Sequence, residues 1–383
     1  MKGPLSPRAM IEALVGIPTV SRDSNLGLIE FVRNYLYDLR VDSTLVENAD
    51  GTKANLYASV GPMVPGGVVL SGHTDVVPTD GQPWSSDPFQ VTERGGRLYG
   101  RGTCDMKSFY AIALALVPEM RKLRRPIHFA LSYDEEVGCL GAPGLIEALT
   151  NAIPEPQAVI VGEPTSMHIV NAHKSIFHFT THVTGHAAHS SQPHRGVSAV
   201  MVAARLVNWI AERQRRNADS ARPDCAFEPP YTSLHCGMIH GGTAPNIMAR
   251  DCEFVTDIRC LPDESGEAYL DELKRYVEKE IEPEMRRVSQ TAGVEFTIGP
   301  SAPGFEAPPD SAAVRLVELI NGSGPIEAVP YAAEAGQYQQ AGYSVAMCGP
   351  GSIDQAHKPD EYISLDQVDS GTTFIRRLIE HLS

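Results

Sequence analysis

Leu26, Ile29, Val32, Leu36 and Leu39 recur every three or four residues, a spacing that predicts an amphipathic helix early in the chain. Short apolar runs of strand length follow at Asn55–Val60 and Val68–Ser71. Beyond them Lys107–Leu123 reads as a helix, Ile127–Tyr133 as a strand and Ala158–Val161 as another. Unbroken apolar strands separated by helices are the pattern of a sheet covered on both faces. The expectation is an α/β domain with a mostly parallel central sheet.

Near residue 176 the pattern changes. Phe177, Phe179, Thr181 and Val183 alternate with polar positions, as in a strand with one face in a core and the other in water. A helix (Val197–Arg215), two strands (about 231–240 and 251–260), a helix (266–287) and a strand (293–298) complete the order β-α-β-β-α-β. That order is ferredoxin-like. After Pro300 helix and strand alternate again, with Ala312–Ile320, Tyr343–Cys348 and a last helix from Asp366. The expected organisation is one domain of residues 1–175 and 299–383, interrupted by an inserted domain of residues 176–298.

Length and charge narrow the partners. At 383 residues the chain can build two or three domains with cores of their own. Lys and Arg number 32 against 47 Asp and Glu, a formal net charge of −15. Such a surface repels phosphate backbones, so nucleic acid is not an expected partner. No apolar run approaches the ~20 residues that cross a bilayer, so no membrane association is expected. Met1–Met10 contain Pro4 and Pro7 and no apolar segment, which gives no sign of a secretory leader. The seven cysteines include no C-x-x-C pair, as expected of free thiols in a reducing, cytoplasmic setting.

Chemistry concentrates where the predicted strands end. His73 and Asp75 follow Val68–Ser71, and Asp105 closes Gly100-Arg101-Gly102-Thr103-Cys104 just before a helix. Glu135 and Glu136 follow Ile127–Tyr133, Glu163 follows Ala158–Val161, and His357 comes soon after Tyr343–Cys348. In an open α/β sheet the ligand crevice lies beyond the carboxyl ends of the strands. Five segments thus bring imidazoles and carboxylates to one edge. Zinc and related ions accept that donor set, and two ions ~3.5–4 Å apart would share a carboxylate and clamp a water. Singly, these residues have plainer uses, such as a helix cap for Asp105, a helix start for Glu135-Glu136 and a turn for Asp75. Those uses leave the coincidence at strand ends unexplained. Other motifs fail: Gly100-Arg101-Gly102 opens like a dinucleotide fingerprint but has Asp105 where the third glycine belongs. No G-x-S-x-G or H-E-x-x-H occurs.

The segments Ser71-Gly72-His73-Thr74-Asp75, Gly100 to Lys107, Asp134-Glu135-Glu136 and Gly162-Glu163-Pro164-Thr165 resemble the dinuclear zinc amidohydrolases of the M20 peptidase family, as does Gly349-Pro350-Gly351-Ser352 with His357. The resemblance spans nearly the whole chain, and Gly349 to Tyr362 is most similar to the acetylornithine-cleaving members. It implies a zinc-peptidase-like catalytic domain and an inserted lid and dimerisation domain. It further implies two divalent ions, zinc first and cobalt also accepted, bridged by Asp105, with His73 and Glu163 completing one site and Glu136 and His357 the other. Asp75 would accept the ring N–H of His73 through its carboxylate, and Glu135 would be the general base. His189, in Gly185-His186-Ala187-Ala188-His189-Ser190-Ser191, would stabilise the oxyanion. Asn246 and Arg259 would grip the substrate, Arg259 as a bidentate fork, and Glu334 would meet a cationic side-chain amine. The implied partners are an N-acyl amino acid and a second copy of the chain. Asp354, Cys104 and Lys358 depart from the deacetylase pattern without touching a ligand position. A relative reduced to metal-dependent binding would be expected to have lost one of these groups, and none is missing.

Overall fold

Val68–His73, Ile127–Ser132 and Ala158–Val161 are buried along their whole length, as unbroken apolar sequence requires of strands covered on both faces. The computed structural model describes residues 3–383. In it these strands and Val345–Met347 lie in the order Ile127–Ser132, Val68–His73, Ala158–Val161, Val345–Met347, each neighbouring pair parallel. Their carboxyl ends therefore share one edge.

The full sheet has nine strands and is mixed rather than mostly parallel. Ser43–Glu47 pairs antiparallel with Ala54–Val60, which pairs antiparallel with Ile127–Ser132; Val345–Met347 pairs antiparallel with Ile169–His173. Residues 48–53 alone join the first two of these strands, too short a link for the crossover a parallel pair needs. The predicted helix Lys107–Leu123 runs only from Lys107 to Ala115 and continues as a 3₁₀ turn, Val117–Lys122. Pro118 is the cause, since it has no N–H for the helical ladder. The last helix, Leu365–Leu382, starts where the Ser364 hydroxyl accepts the Gln367 N–H.

By its contacts the chain divides into two units. The first holds the chain up to Ala172, Phe305–Glu327 and Ala333–Ser383; the second holds His173–Gly304 and Ala328–Ala332. The second unit thus reaches beyond 176–298 on both sides. It takes in the 328–332 segment, whose Val329 carbonyl accepts the Lys174 N–H at 3.3 Å. Its antiparallel sheet has the order Ser233–Gly241, Asp251–Arg259, Ile176–Thr184, Gly293–Ala302. Buried and half-buried residues alternate along Ile176–Thr184, and Phe179 and Phe254 share a core with Leu206 and Leu273 of its helices. The helix predicted over 266–287 is interrupted: Gly266–Tyr276 passes through a π-helical turn, Val277–Ile281, into Glu282–Arg286, where Pro283 again removes a donor.

Candidate metal centre

Two groups of ligand-type side chains meet at the carboxyl edge of the parallel strands. His73, Asp105 and Glu163 form one; Asp105, Glu136 and His357 form the other; in each the potential donor atoms lie within 4.8 Å of one another. Asp105 belongs to both. Its Oδ1 is 3.0 Å from His73 Nε2 and its Oδ2 is 3.3 Å from His357 Nε2, while Glu136 Oε2 is 2.9 Å from the same His357 nitrogen. A carboxylate that offers one oxygen to each cluster has the geometry of a bridge.

The local charge is badly unbalanced without cations. Among the described residues no Lys or Arg forms an ion pair with Asp105, Glu135, Glu136 or Glu163. Burial, reinforced by the Asp105 charge, pushes the Glu163 carboxyl up to about 8. Burial also raises Glu135 well above the carboxylate range, and raises Glu136 with help from Asp105. Hydrogen bonds to Asp105 and Glu136 push the His357 ring up to about 10. Burial acts against ionised Asp105, but hydrogen bonds from His357 and His73 hold its carboxyl below its ordinary range. Among the described residues Glu163 Oε1 has no hydrogen-bond partner, although it is buried. An orphaned carboxylate oxygen in a cluster with an imidazole and a shared carboxylate suits divalent cations of the zinc type.

Around the ligands the structure departs from expectation at Asp75. The His73 Nδ1–H donates to the backbone carbonyl of Asp75 at 2.9 Å, whereas the Asp75 carboxylate lies 3.7 Å away, beyond hydrogen-bond reach. The ring is still oriented, but by the main chain. The Asp75 carboxylate instead accepts the Glu135 N–H (3.1 Å), the Glu136 N–H (3.3 Å) and the Ser21 hydroxyl (2.7 Å), so it organises the adjacent pair of acids. Glu334 is only 1% exposed. Its Oε2 accepts the Ser71 hydroxyl at 3.1 Å. Among the described residues it makes no ion pair with Lys or Arg.

Sequence reasoning missed Glu361. This fully buried carboxylate receives the backbone N–H groups of Gly102, Cys104 and Asp105 on one oxygen and Arg101 on the other. Its position after Pro359-Asp360 gives no periodic or motif signal, because its partners are main-chain groups some 260 residues away. Cys139 was also overlooked; its thiol is 3.5 Å from Glu135 Oε1.

The remaining candidates belong to the second unit. His189 and Asn246 are neighbours there: the Ser190 N–H donates to the Asn246 carbonyl at 3.0 Å, and His189 pairs with Ile247 in a β-bridge. Both side chains are exposed. His189 Nδ1 accepts the Ser191 N–H at 3.2 Å, so the neutral ring carries its proton on Nε2, free to donate. Arg259 is not with them. It ends the strand Asp251–Arg259, about 26 Å from the start of that strand at ~3.3 Å per residue, and its Nε–H donates to Asp257.

Two ligand clusters sharing a carboxylate, at the edge of a mixed α/β sheet, mark a metal-dependent hydrolase. The sequence model of peptidase family M20/M25/M40 matches residues 69–381, and the chain belongs to that family. Among curated relatives, the acetylornithine deacetylase of Shigella sonnei (strain Ss046) is 36% identical over 392 residues, covering 100% of this chain and 99% of its own. The acetylornithine deacetylase of Edwardsiella ictaluri (strain 93-146) is 35% identical over 383 residues, covering 97% of each. Among solved structures, an M20 family metallo-carboxypeptidase from Sulfolobus solfataricus superposes with a TM-score of 0.77 at 16% identity, covering 98% of both chains. A dinuclear metal binding M20 peptidase of Bacillus subtilis gives 0.67 at 15% identity, covering 98% of this chain and 97% of that one. These two show a common fold.

Proposed function

We propose that this chain hydrolyses the amide bond of an N-acylated amino acid, N2-acetyl-L-ornithine, to L-ornithine and acetate, as a cytoplasmic step of arginine biosynthesis. The observation that carries the reading is the pair of clusters sharing Asp105, with Glu135 beside them as a carboxylate that, among the described residues, no histidine, Lys or Arg engages at ion-pair distance. The two curated relatives support the choice of substrate.

In this reading His73, Asp105 and Glu163 hold one divalent ion and Asp105, Glu136 and His357 the other, zinc or cobalt. When bound, the ions supply Lewis acidity toward the amide carbonyl and toward the attacking water. Glu135 takes a proton from that water as its oxygen bonds to the carbonyl carbon. It returns the proton to the nitrogen as the C–N bond breaks, so acetate and the free amine leave without a covalent enzyme intermediate. Asp75 holds the Glu135-Glu136 backbone in register through the two N–H groups it accepts. His189 donates from Nε2 to the developing oxyanion and Asn246 binds the substrate carboxylate or carbonyl; Arg259, at the far end of its strand from that pair, would bind the substrate held by the other copy of a dimer, and Glu334 meets the side-chain amine. The second unit acts as a ferredoxin-like lid and as the dimerisation surface; its strand order and element order support the ferredoxin-like topology.

The test is kcat/KM for acyl release from N2-acetyl-L-ornithine, N-acetyl-L-citrulline and N-succinyl-diaminopimelate with zinc- or cobalt-loaded protein. Preference for acetylornithine is expected, and Glu334→Gln should raise KM for it more than for the neutral citrulline derivative. Preference for either rival would replace the substrate while leaving the hydrolytic chemistry in place.

A further inference from the structure

We propose that Glu361, Arg101 and Gln82 form a positioning network for the metal centre, with Glu361 acting on both sites through the Asp105 loop and Gln82 on one site through His357. The inference rests on the ligand assignment proposed above.

A single oxygen, Glu361 Oε1, accepts three N–H groups in four residues, from Gly102 at 3.0 Å, Cys104 at 2.8 Å and Asp105 at 3.1 Å. Three convergent donors on one carboxylate oxygen hold the loop in one curl and so aim the Asp105 side chain. The curl needs a left-handed residue at Gly102, φ 85°, where a Cβ would also meet Val76 Cγ1 at 3.0 Å. The other oxygen accepts Arg101 Nη1 at 2.7 Å, and the two side chains are 1% and 0% exposed. Desolvating such a pair opposes much of its attraction, so a role in geometry explains it better than a role in stability.

Arg101 carries the connection across the site. Its Nη1 also donates to the Lys358 carbonyl at 3.3 Å and its Nη2 to Gln82 Oε1 at 2.7 Å. The guanidinium carbon lies 5.1 Å from the Trp84 ring centre, and the indole N–H donates to the same Gln82 oxygen at 3.0 Å. Two donors on Oε1 settle which end of the amide is which. The Gln82 Nε2 therefore faces the His357 carbonyl, 3.3 Å away. His357 depends on such support, because its side chain is 54% exposed and its φ is 61°. Little packing holds the ring, so its backbone must be held for the imidazole to point at Asp105 and Glu136. Gln82, Arg101 and Glu361 are positioning residues in this scheme; none is among the reacting or ligand groups.

The experiment is a cobalt(II) titration of the metal-stripped full chain, read by the visible absorption of bound cobalt and needing no substrate. Wild type should take up two equivalents, and His357→Ala should lose one of them. Gln82→Ala removes a half-buried side chain and should weaken that same equivalent roughly 10- to 100-fold, leaving the other at wild-type affinity. Glu361→Gln should weaken both. Wild-type affinity and spectrum for both equivalents in Gln82→Ala would overturn the inference, as would equal weakening of the two. If Glu361→Gln does not fold, Gln82→Ala still decides. Failure of wild type to bind cobalt would overturn the ligand assignment and the inference together.

Discussion

Glu135 and Glu136 are adjacent in sequence yet differ in surroundings. Glu136 lies 2.9 Å from His357 Nε2, while the Glu135 carboxylate faces the Cys139 thiol, 3.5 Å away. A carboxylate facing an imidazole and a shared carboxylate is a candidate ligand; one that burial raises and no Lys or Arg among the described residues pairs with is suited to carrying a proton. Glu135→Gln should therefore lower kcat roughly 100- to 10,000-fold while metal content stays at wild-type level. Undiminished turnover would remove Glu135 from the base role. At this scale the sequence was informative about donor types and poor about their partners. His73, Asp105, Glu136, Glu163 and His357 could be singled out because imidazole and carboxylate at strand ends are unusual in combination. That the Asp75 carbonyl, and not its carboxylate, orients His73 could not be read, because it depends on a rotation of one residue's backbone against its side chain.

The four parallel strands explain why the ligands converge, and they were legible because burial on both faces leaves an unbroken apolar run. Of the antiparallel flanks, Ala54–Val60 was legible as a strand, but Ser43–Glu47 and Ile169–His173 were not. Ser43–Glu47 alternates half-buried and exposed positions without a strong apolar signal, and the helix Pro7–Val15 is short and capped by Ser6 alone. One strand carries a further consequence. His128, in Ile127–Ser132, is wholly buried opposite Ser59, whose hydroxyl is 2.7 Å from Nδ1, and Nε2 has no partner. Burial lowers its ring to about 4. A depressed folded-state value means that the neutral ring's contribution is complete above the ordinary ~6.5 and is lost as pH falls toward 4, because the unfolded chain then binds the extra proton. The loss is on the order of 3 kcal/mol. Chemical denaturation at pH 7 and pH 4.5 should show a smaller fall in stability for His128→Leu than for wild type; equal falls would contradict the buried neutral imidazole.

At the scale of the molecule, two units divide the work. The first contains all the clustered ligands, Glu135 and Glu361; the second contains His189, Asn246 and Arg259. The hydrophobic period changes near residue 176 and changes back after 300, close to where the second unit's His173–Gly304 segment begins and ends. Its edges were blurred because Ile169–His173 leads almost directly into Ile176–Thr184, with no linker between them. The net charge of −15 places a strongly acidic site within an acidic protein. Such a site gains more from bound cations than from any side chain nearby. The most direct measurement is acetate release from N2-acetyl-L-ornithine by chelator-stripped protein as zinc is added back. Metal dependence predicts no turnover in the stripped protein and a rise to full rate as two equivalents bind. Full activity with metal demonstrably absent would contradict it.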